Sequence, residues 1–541
     1  MAAVLGLNAV FHDPAAALVV DGTVVAAAEE ERFSRRKHGK EPVPFSTWEL
    51  PVAAATWCLE AAGMEAADLD AIAYSYDPSL APPASEDLTA SEWEPLRTLF
   101  VRRAPHFVAS AFPGSERVPF RHVAHHVAHA ASAYLGGPHR DCAVLVADGR
   151  GERHSMLGGD VVDGAFTPLF SQELPHSLGL LYEELTVHCG FHRSSDEYKV
   201  MALASYGTPR WLDDFRELVT AVPDGGVHTS PVDFGRWVPK ATQGPGQGHM
   251  DLAASVQRRL EEVLLETGSW LHERTGHDAL VMAGGVALNC VANEVLWRSG
   301  PFRDVWVQPA AGDAGTALGA AMYVSAELGD DPAPMATAAL GRSWSDAEVE
   351  QVLRRAHVPY ERPLDLAGAV ADCLATDHVV AWFQGASEFG PRALGHRSLL
   401  ADPRPAGNLD RLNDIKGREE FRPVAPMVTL ERASEIFDGP IPSPHMLFVH
   451  RVRDGWRERI PAVVHVDGTA RAQTVDRAQE PLMASVLDGF DARTGVPVVV
   501  NTSFNTAGRP MVDSPSDALE CFGSSPIDVL ALGPFLVHRR R

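Results

Sequence analysis

A chain of 541 residues exceeds what one hydrophobic core normally supports, so two or three domains are expected, each burying a sizeable core. Its 71 acidic against 47 basic residues give a formal charge of -24, which argues against DNA or tRNA as partner, because nucleic-acid binding draws on clustered Lys and Arg that neutralise phosphates. Six scattered cysteines without paired spacing, no basic leader and no apolar run of membrane-spanning length point to a soluble protein of the reducing cytoplasm.

In chain order, residues 4–8, 15–20 and 23–28 predict three strands, the last two joined by an Asp21-Gly22 turn. Arg32-Phe33-Ser34-Arg35-Arg36-Lys37 reads either as a solvated face or as a short anion-binding stretch. Residues 143–147 predict a buried strand leading into the turn Asp148-Gly149-Arg150-Gly151, and a hairpin is expected from Gly158-Gly159-Asp160 to Val162-Asp163-Gly164. This second opening resembles the first, which suggests a duplicated α/β unit of the ribonuclease-H or actin-like kind. Loss of periodicity between residues 325 and 345 predicts a domain boundary, giving regions 1–340 and 341–541. The second region opens with a helix start at Ser343-Trp344-Ser345-Asp346. Strand candidates at 379–383, 497–500 and 528–532 make it another mixed α/β domain.

Four segments compose a candidate metal site. In His125-His126-Val127-Ala128-His129 the imidazoles at 125 and 129 are four apart, so on a helix they project from one face and can grip one cation; Asp148 and Asp313 can complete its shell. A histidine pair alone also fits a structural helix face, but these companions favour a metal. Two imidazoles and two carboxylates suit Fe(II), Mn(II) or Zn(II) by ligand type. The strand 279–283 ends in Gly284-Gly285, followed by a helix pattern, and Gly312-Asp313-Ala314-Gly315 repeats the design. Such glycines make a tight turn, or let backbone N–H groups approach a phosphate; a nucleotide beside a metal accounts for both loops, with Gly284, Gly285, Asn289 and Gly312 as candidate contacts. His12, just after the first strand, is either a turn-capping residue with Asp13 or a neutral base for an attacking hydroxyl. The segment 197–207 places charge beside small residues, consistent with packing near a ligand.

The cations of the second region cluster in Glu388-Phe389-Gly390-Pro391-Arg392-Ala393-Leu394-Gly395-His396-Arg397-Ser398 and in Lys416-Gly417-Arg418-Glu419-Glu420-Phe421-Arg422-Pro423. Guanidinium and ammonium groups interspersed with Gly and Pro suggest loops shaped around phosphate. Asn501-Thr502-Ser503-Phe504-Asn505, expected to follow a strand, offers hydroxyl and amide groups, and Arg471 adds a cation.

Together, Phe11-His12-Asp13, Glu29-Glu30-Glu31-Arg32-Phe33, His125-His126-Val127-Ala128-His129-Ala130, Asp148-Gly149, residues 283–289, residues 390–395 and residues 501–505 resemble the NodU/CmcH-type O-carbamoyltransferases, in particular the antibiotic-modifying members of the tobramycin carbamoyltransferase kind. The resemblance runs through nearly the whole chain. It implies a TsaD-like first domain and a YrdC-like second, whose Lys-x-Arg and Ser-x-Asn pattern appears here as Lys416-Gly417-Arg418 and Ser503-Phe504-Asn505. It further implies that ATP and carbamoyl phosphate give carbamoyl adenylate, pyrophosphate and phosphate in the second domain, and that the first moves the carbamoyl group to a substrate hydroxyl.

By the same resemblance His125, His129, Asp148 and Asp313 hold a divalent metal, typically Fe(II), and His12 matches the proposed base. Arg392, Lys416, Arg418, Arg422, Arg471, Ser503 and Asn505 match positions that bind nucleotide and carbamoyl phosphate, with Lys416 and Arg418 counted among the catalytic residues. Val200 and Ala202 depart from the usual Leu and Gly near Lys199. The expected partners are carbamoyl phosphate and a hydroxylated small-molecule acceptor, with a homodimer allowed and no nucleic acid or membrane. Acceptor contacts are expected in the Pro-, Gly- and aromatic-rich loops of residues 80–115 and 208–250. Three readings compete. Hydrogenase-maturation carbamoylation predicts an acylphosphatase module and Cys-x-x-Cys pairs that the sequence lacks. A tRNA threonylcarbamoyl-type fusion conflicts with the acidic balance. A non-catalytic actin-like nucleotide-binding scaffold leaves the His/His/Asp/Asp set unexplained.

Overall fold

Strand-forming sequence in the first region resolves into two sheets built to one plan. The computed structural model describes residues 2–39, 49–82 and 93–539, and the chain divides into two units, Met1–Thr337 and Ala338–Arg541. The strands of the first unit are β1 (Ala3–Asn8), β2 (Ala15–Val20), β3 (Thr23–Glu29), β4 (Ala71–Tyr74), β5 (Phe120–His122), β6 (Cys142–Ala147), β7 (His154–Val162), β8 (Ala165–Glu173), β9 (Val219–Ala221), β10 (Val227–Thr229), β11 (Ala279–Ala283) and β12 (Asp304–Val307). One sheet runs β3-β2-β1-β4-β5 and the other β8-β7-β6-β11-β12, while β9 and β10 form a small hairpin. In each sheet the first three strands are antiparallel and the last two join in parallel.

The turns repeat as well. Asp21-Gly22 joins β2 to β3 and Asp163-Gly164 joins β7 to β8, all four residues at positive φ, the chemistry a two-residue hairpin requires. The hairpin expected from Gly158-Gly159-Asp160 to Val162-Asp163-Gly164 is β7 turning into β8; Gly158 and Gly159 lie within β7, where they leave room for the rings of Phe170 and Phe166 on β8. The strand β12 has no counterpart among the expected elements, and its short length after an irregular segment explains why.

Each sheet feeds a helix after its fifth strand, His125–Tyr134 after β5 and Ala314–Glu327 after β12. These two helices pack on one another through small residues. A Cβ on Gly319 would stand 1.8 Å from the carbonyl oxygen of Ala128, so the contact admits only glycine, and a larger residue there would cost about 1–3 kcal/mol or more in displaced backbone. The close approach brings the N-terminal turns of both helices to the ends of β1 and β6. Among the described residues no helix is long and apolar enough to cross a membrane.

The second unit has strands β13 (Val380–Phe383), β14 (Arg397–Ala401), β15 (Ala425–Thr429), β16 (Phe437–Asp438), β17 (His450–Val452), β18 (Thr469–Ala470), β19 (Gln473–Val475), β20 (Val498–Ser503), β21 (Val529–Leu532) and β22 (Phe535–His538). Seven make a mixed sheet, β19-β15-β20-β14-β13-β21-β22, and three a small one, β16-β17-β18. Its core is a continuous apolar cluster including Trp382, Phe490, Phe504 and Phe535. The helix Asp346–Arg355 starts at the expected place, with Ser345 and Glu348 forming a reciprocal capping box. Asn501, Thr502 and Ser503 belong to β20 rather than following it.

The stretches expected to be acceptor loops are largely regular. Trp93–Ala111 is a helix, residues 83–92 lie outside the described residues, and 208–250 includes the helix Leu212–Leu218, the β9-β10 hairpin and the start of the long helix Gln247–Thr275. The basic stretch at 32–37 is no uniform solvated face. Arg32 is fully buried, donating to Glu29 Oε2 at 3.3 Å, and Lys37 pairs with Glu31 at 3.0 Å.

Candidate active sites

In the first unit, the helix His125–Tyr134 places His125 and His129 one turn apart, both fully buried. No side chain of its own caps that helix. Glu152, from the β6-β7 loop, accepts the His125 N–H at 2.8 Å and the Asp77 N–H at 2.8 Å, satisfying one of the orphan donors of the first turn. Asp148, at the end of β6, accepts the Gly285 N–H on Oδ1 at 2.9 Å, which turns Oδ2 toward the histidines. Asp313 stands at the N-cap of Ala314–Glu327 but does not cap it, and its carboxylate faces the imidazoles instead.

His125 Nε2 lies 3.4 Å from Asp148 Oδ2 and 3.6 Å from Asp313 Oδ1; His129 Nε2 lies 3.8 Å and 3.6 Å from the same two oxygens. All four donor atoms lie within 4.8 Å of one another. These separations are long for hydrogen bonds. They approach the ~3.3–3.6 Å between donors that share one tetrahedral ion at about 2.0–2.2 Å. Among the described residues, His125 Nε2 and both nitrogens of His129 have no hydrogen-bond partner, though buried. Four buried donors of nitrogen and oxygen type, the two imidazole Nε2 atoms among them without a hydrogen bond, fit a divalent cation of the iron, manganese or zinc class.

The electrostatics fit as well. Burial lowers the pKa of His125, but the carboxylates of Asp148 and Asp313 more than reverse this and hold it well above its usual 6.5. Burial raises the pKa of both aspartates; the histidines prevail, holding Asp148 and Asp313 below the usual carboxylate range, with His12 acting on Asp313 and His125 on both. An ion must displace the proton from His125. Affinity for a divalent cation is therefore expected to rise with pH over the range above 6.5, with proton release on binding, measured calorimetrically in two buffers of different ionisation enthalpy. Affinity that stays constant from about pH 6 to about pH 9 without proton release would contradict this assignment.

His12, in the β1-β2 loop, reaches the same cluster, with Nε2 3.8 Å from Asp313 Oδ2 and Nδ1 2.8 Å from Asp13 Oδ2. Sequence reasoning missed Glu152 and the buried His126. The last has both ring nitrogens without a hydrogen-bond partner among the described residues, and its Nε2 lies 3.8 Å from Asp148 Oδ2. Only the His-His doublet itself signals it.

The glycine loops are engaged within the chain. Gly284 has φ 94° and its Cβ position falls 2.2 Å from the carbonyl oxygen of Ala147, so it is a close-approach residue. The N–H of Gly285 is committed to Asp148 rather than offered to a phosphate. Residues Gly285–Leu288 form a short 3-10 turn, and the helix begins only at Cys290. Asn289 caps that helix through Ala292 N–H and exchanges two hydrogen bonds with Gln257, so its amide is occupied internally. The Gly312 carbonyl accepts Gly315 N–H in the turn carrying Asp313.

In the second unit Lys416 ends the helix Asn408–Lys416, and its buried ammonium reaches Ser503 and Asn505. It donates to Ser503 Oγ at 3.0 Å, to the Asn505 carbonyl at 3.3 Å, and also to Ser503 O and Asn505 Oδ1. Ser503 Oγ in turn donates to Asn505 Oδ1 at 2.8 Å. Burial, with Arg418 and Arg422 nearby, pushes the Lys416 pKa well below its usual range. Arg418 is held by Asn413 Oδ1 at 2.6 Å, and Arg422 stands 3.5 Å from Glu419.

Arg392 and Arg471 lie on separate segments tied to this one. Asn501, two residues before Ser503 on β20, donates to the carbonyl of Ala393 and to Gln473 Oε1, and Gln473, two residues after Arg471, donates to the carbonyl of Leu394. Buried Glu388 holds the intervening loop by accepting the N–H groups of Leu394, His396 and Arg397 on one oxygen. Arg397 is no phosphate ligand candidate. It is fully buried, commits its guanidinium to the carbonyls of Arg342, Gln384, Gly385 and His396, and stacks 3.7 Å over the Phe383 ring.

Residues 3–81 and 114–322 match the family model described as Carbamoyltransferase N-terminus, and residues 371–539 match Carbamoyltransferase C-terminus. The nodulation protein NolNO of Sinorhizobium fredii is 41% identical over 98% of this chain and 80% of its own length, and nodulation protein U of Bradyrhizobium diazoefficiens is 40% identical over 48% and 44%. An uncharacterized protein of Synechocystis, sll1178, is 36% identical over 100% of this chain and 97% of its own. Among solved structures, HypF of T.kodakarensis is 14% identical, covers 60% of this chain and 48% of its own, and superposes with a TM-score of 0.32, a likeness too weak to carry an argument. With matches across both units, the chain belongs to the carbamoyltransferase family and is an O-carbamoyltransferase.

Proposed function

We propose that this enzyme is ATP-dependent and works in two steps. In the second unit, a YrdC-like domain, ATP, carbamoyl phosphate and one water give carbamoyl adenylate, pyrophosphate and phosphate. Lys416, Arg418 and Arg422, with Arg392 and Arg471, meet the phosphates, and Ser503 and Asn505 hold Lys416. In the first unit, a duplicated actin-like domain, the carbamoyl group passes to a hydroxyl of a small-molecule natural product such as an antibiotic, and AMP leaves.

The observation that carries this reading is the buried His125, His129, Asp148 and Asp313 set with His12 facing it. The four would hold a divalent cation, iron(II) by the family resemblance, which when bound supplies positive charge against the negative charge that builds on carbamoyl and phosphate oxygens. The chain's own work is to orient: Gly285 aims Asp148, Glu152 fixes the helix carrying both histidines, and His12 presents a nitrogen to the acceptor hydroxyl. The test is incubation with ATP, carbamoyl phosphate and a panel of hydroxylated natural products, read by mass. A gain of one carbamoyl group, with pyrophosphate and AMP formed in step with product, is the expected result. Transfer that proceeds without ATP would overturn the adenylate route.

A further inference from the structure

Behind His12 lies a chain of polar groups drawn from three distant segments. His12 Nδ1 is 2.8 Å from Asp13 Oδ2, His38 Nδ1 is 2.8 Å from Asp13 Oδ1, and His38 Nε2 is 2.8 Å from Ser195 Oγ. Asp13 and His38 are both held at positive φ, 50° and 63°, conformations that non-glycine residues adopt only when their surroundings impose them. The surroundings do so. Asn8 Nδ2 donates to the carbonyls of His12 and Asp13, and Glu31 accepts the His38 N–H at 2.9 Å.

The hydrogen-bond grammar of this chain is determined by the carboxylate in its middle. An ionised carboxylate only accepts, so both imidazoles must present Nδ1–H to Asp13, and in the neutral form of each ring Nε2 is the accepting nitrogen. For His38 that nitrogen takes the Ser195 hydroxyl proton. For His12 it points to Asp313, 3.8 Å away. Burial works against ionisation of Asp13, but His38 and His12 outweigh it and hold the acid well below its usual range.

We propose that Asp13, His38 and Ser195 are positioning residues for carbamoyl transfer, a chain that locks His12 in its Nδ1–H tautomer so that Nε2 accepts the acceptor's proton. The inference rests on the assignment of transfer to the first unit. In the step it serves, the acceptor O–H bond breaks as its oxygen bonds the carbamoyl carbon, and the proton goes to His12 Nε2. The bond from that carbon to the AMP phosphate oxygen breaks, its electron pair leaving with AMP, and Asp13 stabilises the imidazolium formed. Asp13, Glu31 and His38 also place donor atoms within 4.8 Å of one another, as a cation site would. Their atoms are already engaged: both Asp13 oxygens on imidazoles, and Glu31 on Lys37 and the His38 N–H.

The test is Asp13→Asn, which removes the charge that stabilises the His12 imidazolium and whose amide N–H group must donate to one of the two rings, forcing the opposite tautomer on that ring. Turnover in transfer is expected to fall by about 10²–10⁴-fold, with KM for the acceptor, divalent-cation affinity and pyrophosphate release each within about twofold of wild type. Ser195→Ala, losing one neutral hydrogen bond, is expected to fall roughly fivefold in the same parameter alone. Nitrogen-15 spectra of histidine-labelled protein, with His12→Gln to assign the signal, should report the Nδ1–H form of His12 in wild type and, in Asp13→Asn, the opposite tautomer at His12 or at His38. A turnover within about threefold of wild type for Asp13→Asn would sink the proposal. So would a loss matched by equal loss of cation binding, or a His12 in the Nε2–H form in wild type. If wild type transfers to no acceptor tried, the spectra alone decide the tautomer, so failure of the transfer assignment remains separable.

Discussion

Lys416→Ala is expected to abolish pyrophosphate release from ATP and carbamoyl phosphate, a loss of about 10³-fold or more, while cation binding by the first unit stays unchanged. The position of the ammonium is the reason. It ends a helix, is buried, and is enclosed by four oxygen acceptors from Ser503 and Asn505, none of them a carboxylate. A buried cation without an anionic partner among the described residues, beside two further guanidinium-bearing residues, is an arrangement that an incoming phosphate stabilises. Proton uptake then has a definite sign. Burial and the arginines lower the Lys416 pKa, and a bound anion raises it again, so nucleotide binding should take up protons at pH values between the lowered and the restored pKa, and Lys416→Met should lose that uptake. Calorimetry in two buffers measures it. Normal pyrophosphate release by Lys416→Ala would mean that adenylate formation has been assigned to the wrong residues.

What the sequence reveals and what it hides divide along the range of the interactions. The four-residue spacing of His125 and His129 is a local property of one helix, and the capping box at Ser345 and the Asp-Gly turns are equally local. Even the repeat of the two sheets is visible, because hairpins are written in neighbouring residues. Long-range hydrogen bonds carry no such signature. Glu152 caps a helix 27 residues away, Gly285 aims Asp148 across 137, and Ser195 meets His38 across 157. Glycine pairs at strand ends look like phosphate loops, yet Gly284 is required by the carbonyl of Ala147, and Gly285 serves a carboxylate. Arg397 looks like one more phosphate cation because sequence records charge and not burial, whereas its guanidinium ties the carbonyls of Gln384 and Gly385 to that of Arg342. Pro and Gly content suggests loops for the acceptor contacts, and several of those stretches are helices and a hairpin.

His125→Ala separates the two half-reactions from the other side. Pyrophosphate release should stay within about twofold of wild type, divalent-cation affinity should drop by about 10²-fold or more, and carbamoyl transfer should be lost. His125 is fully buried, and its Nε2 is the nitrogen that lies 3.4 Å from Asp148 and 3.6 Å from Asp313. It is also a cause of the low pKa of both acids. Without it, two buried carboxylates repel one another, and one must take up a proton or recruit the cation in its place. The metal-free variant should therefore be less stable than metal-free wild type by about 3 kcal/mol or more, a difference read by denaturant unfolding in chelator. Adding cation should narrow that difference only in part, since one ligand is gone. Should His125→Ala keep transfer while losing pyrophosphate release, the two steps would have to exchange units. His12 would then need a role other than accepting the acceptor's proton.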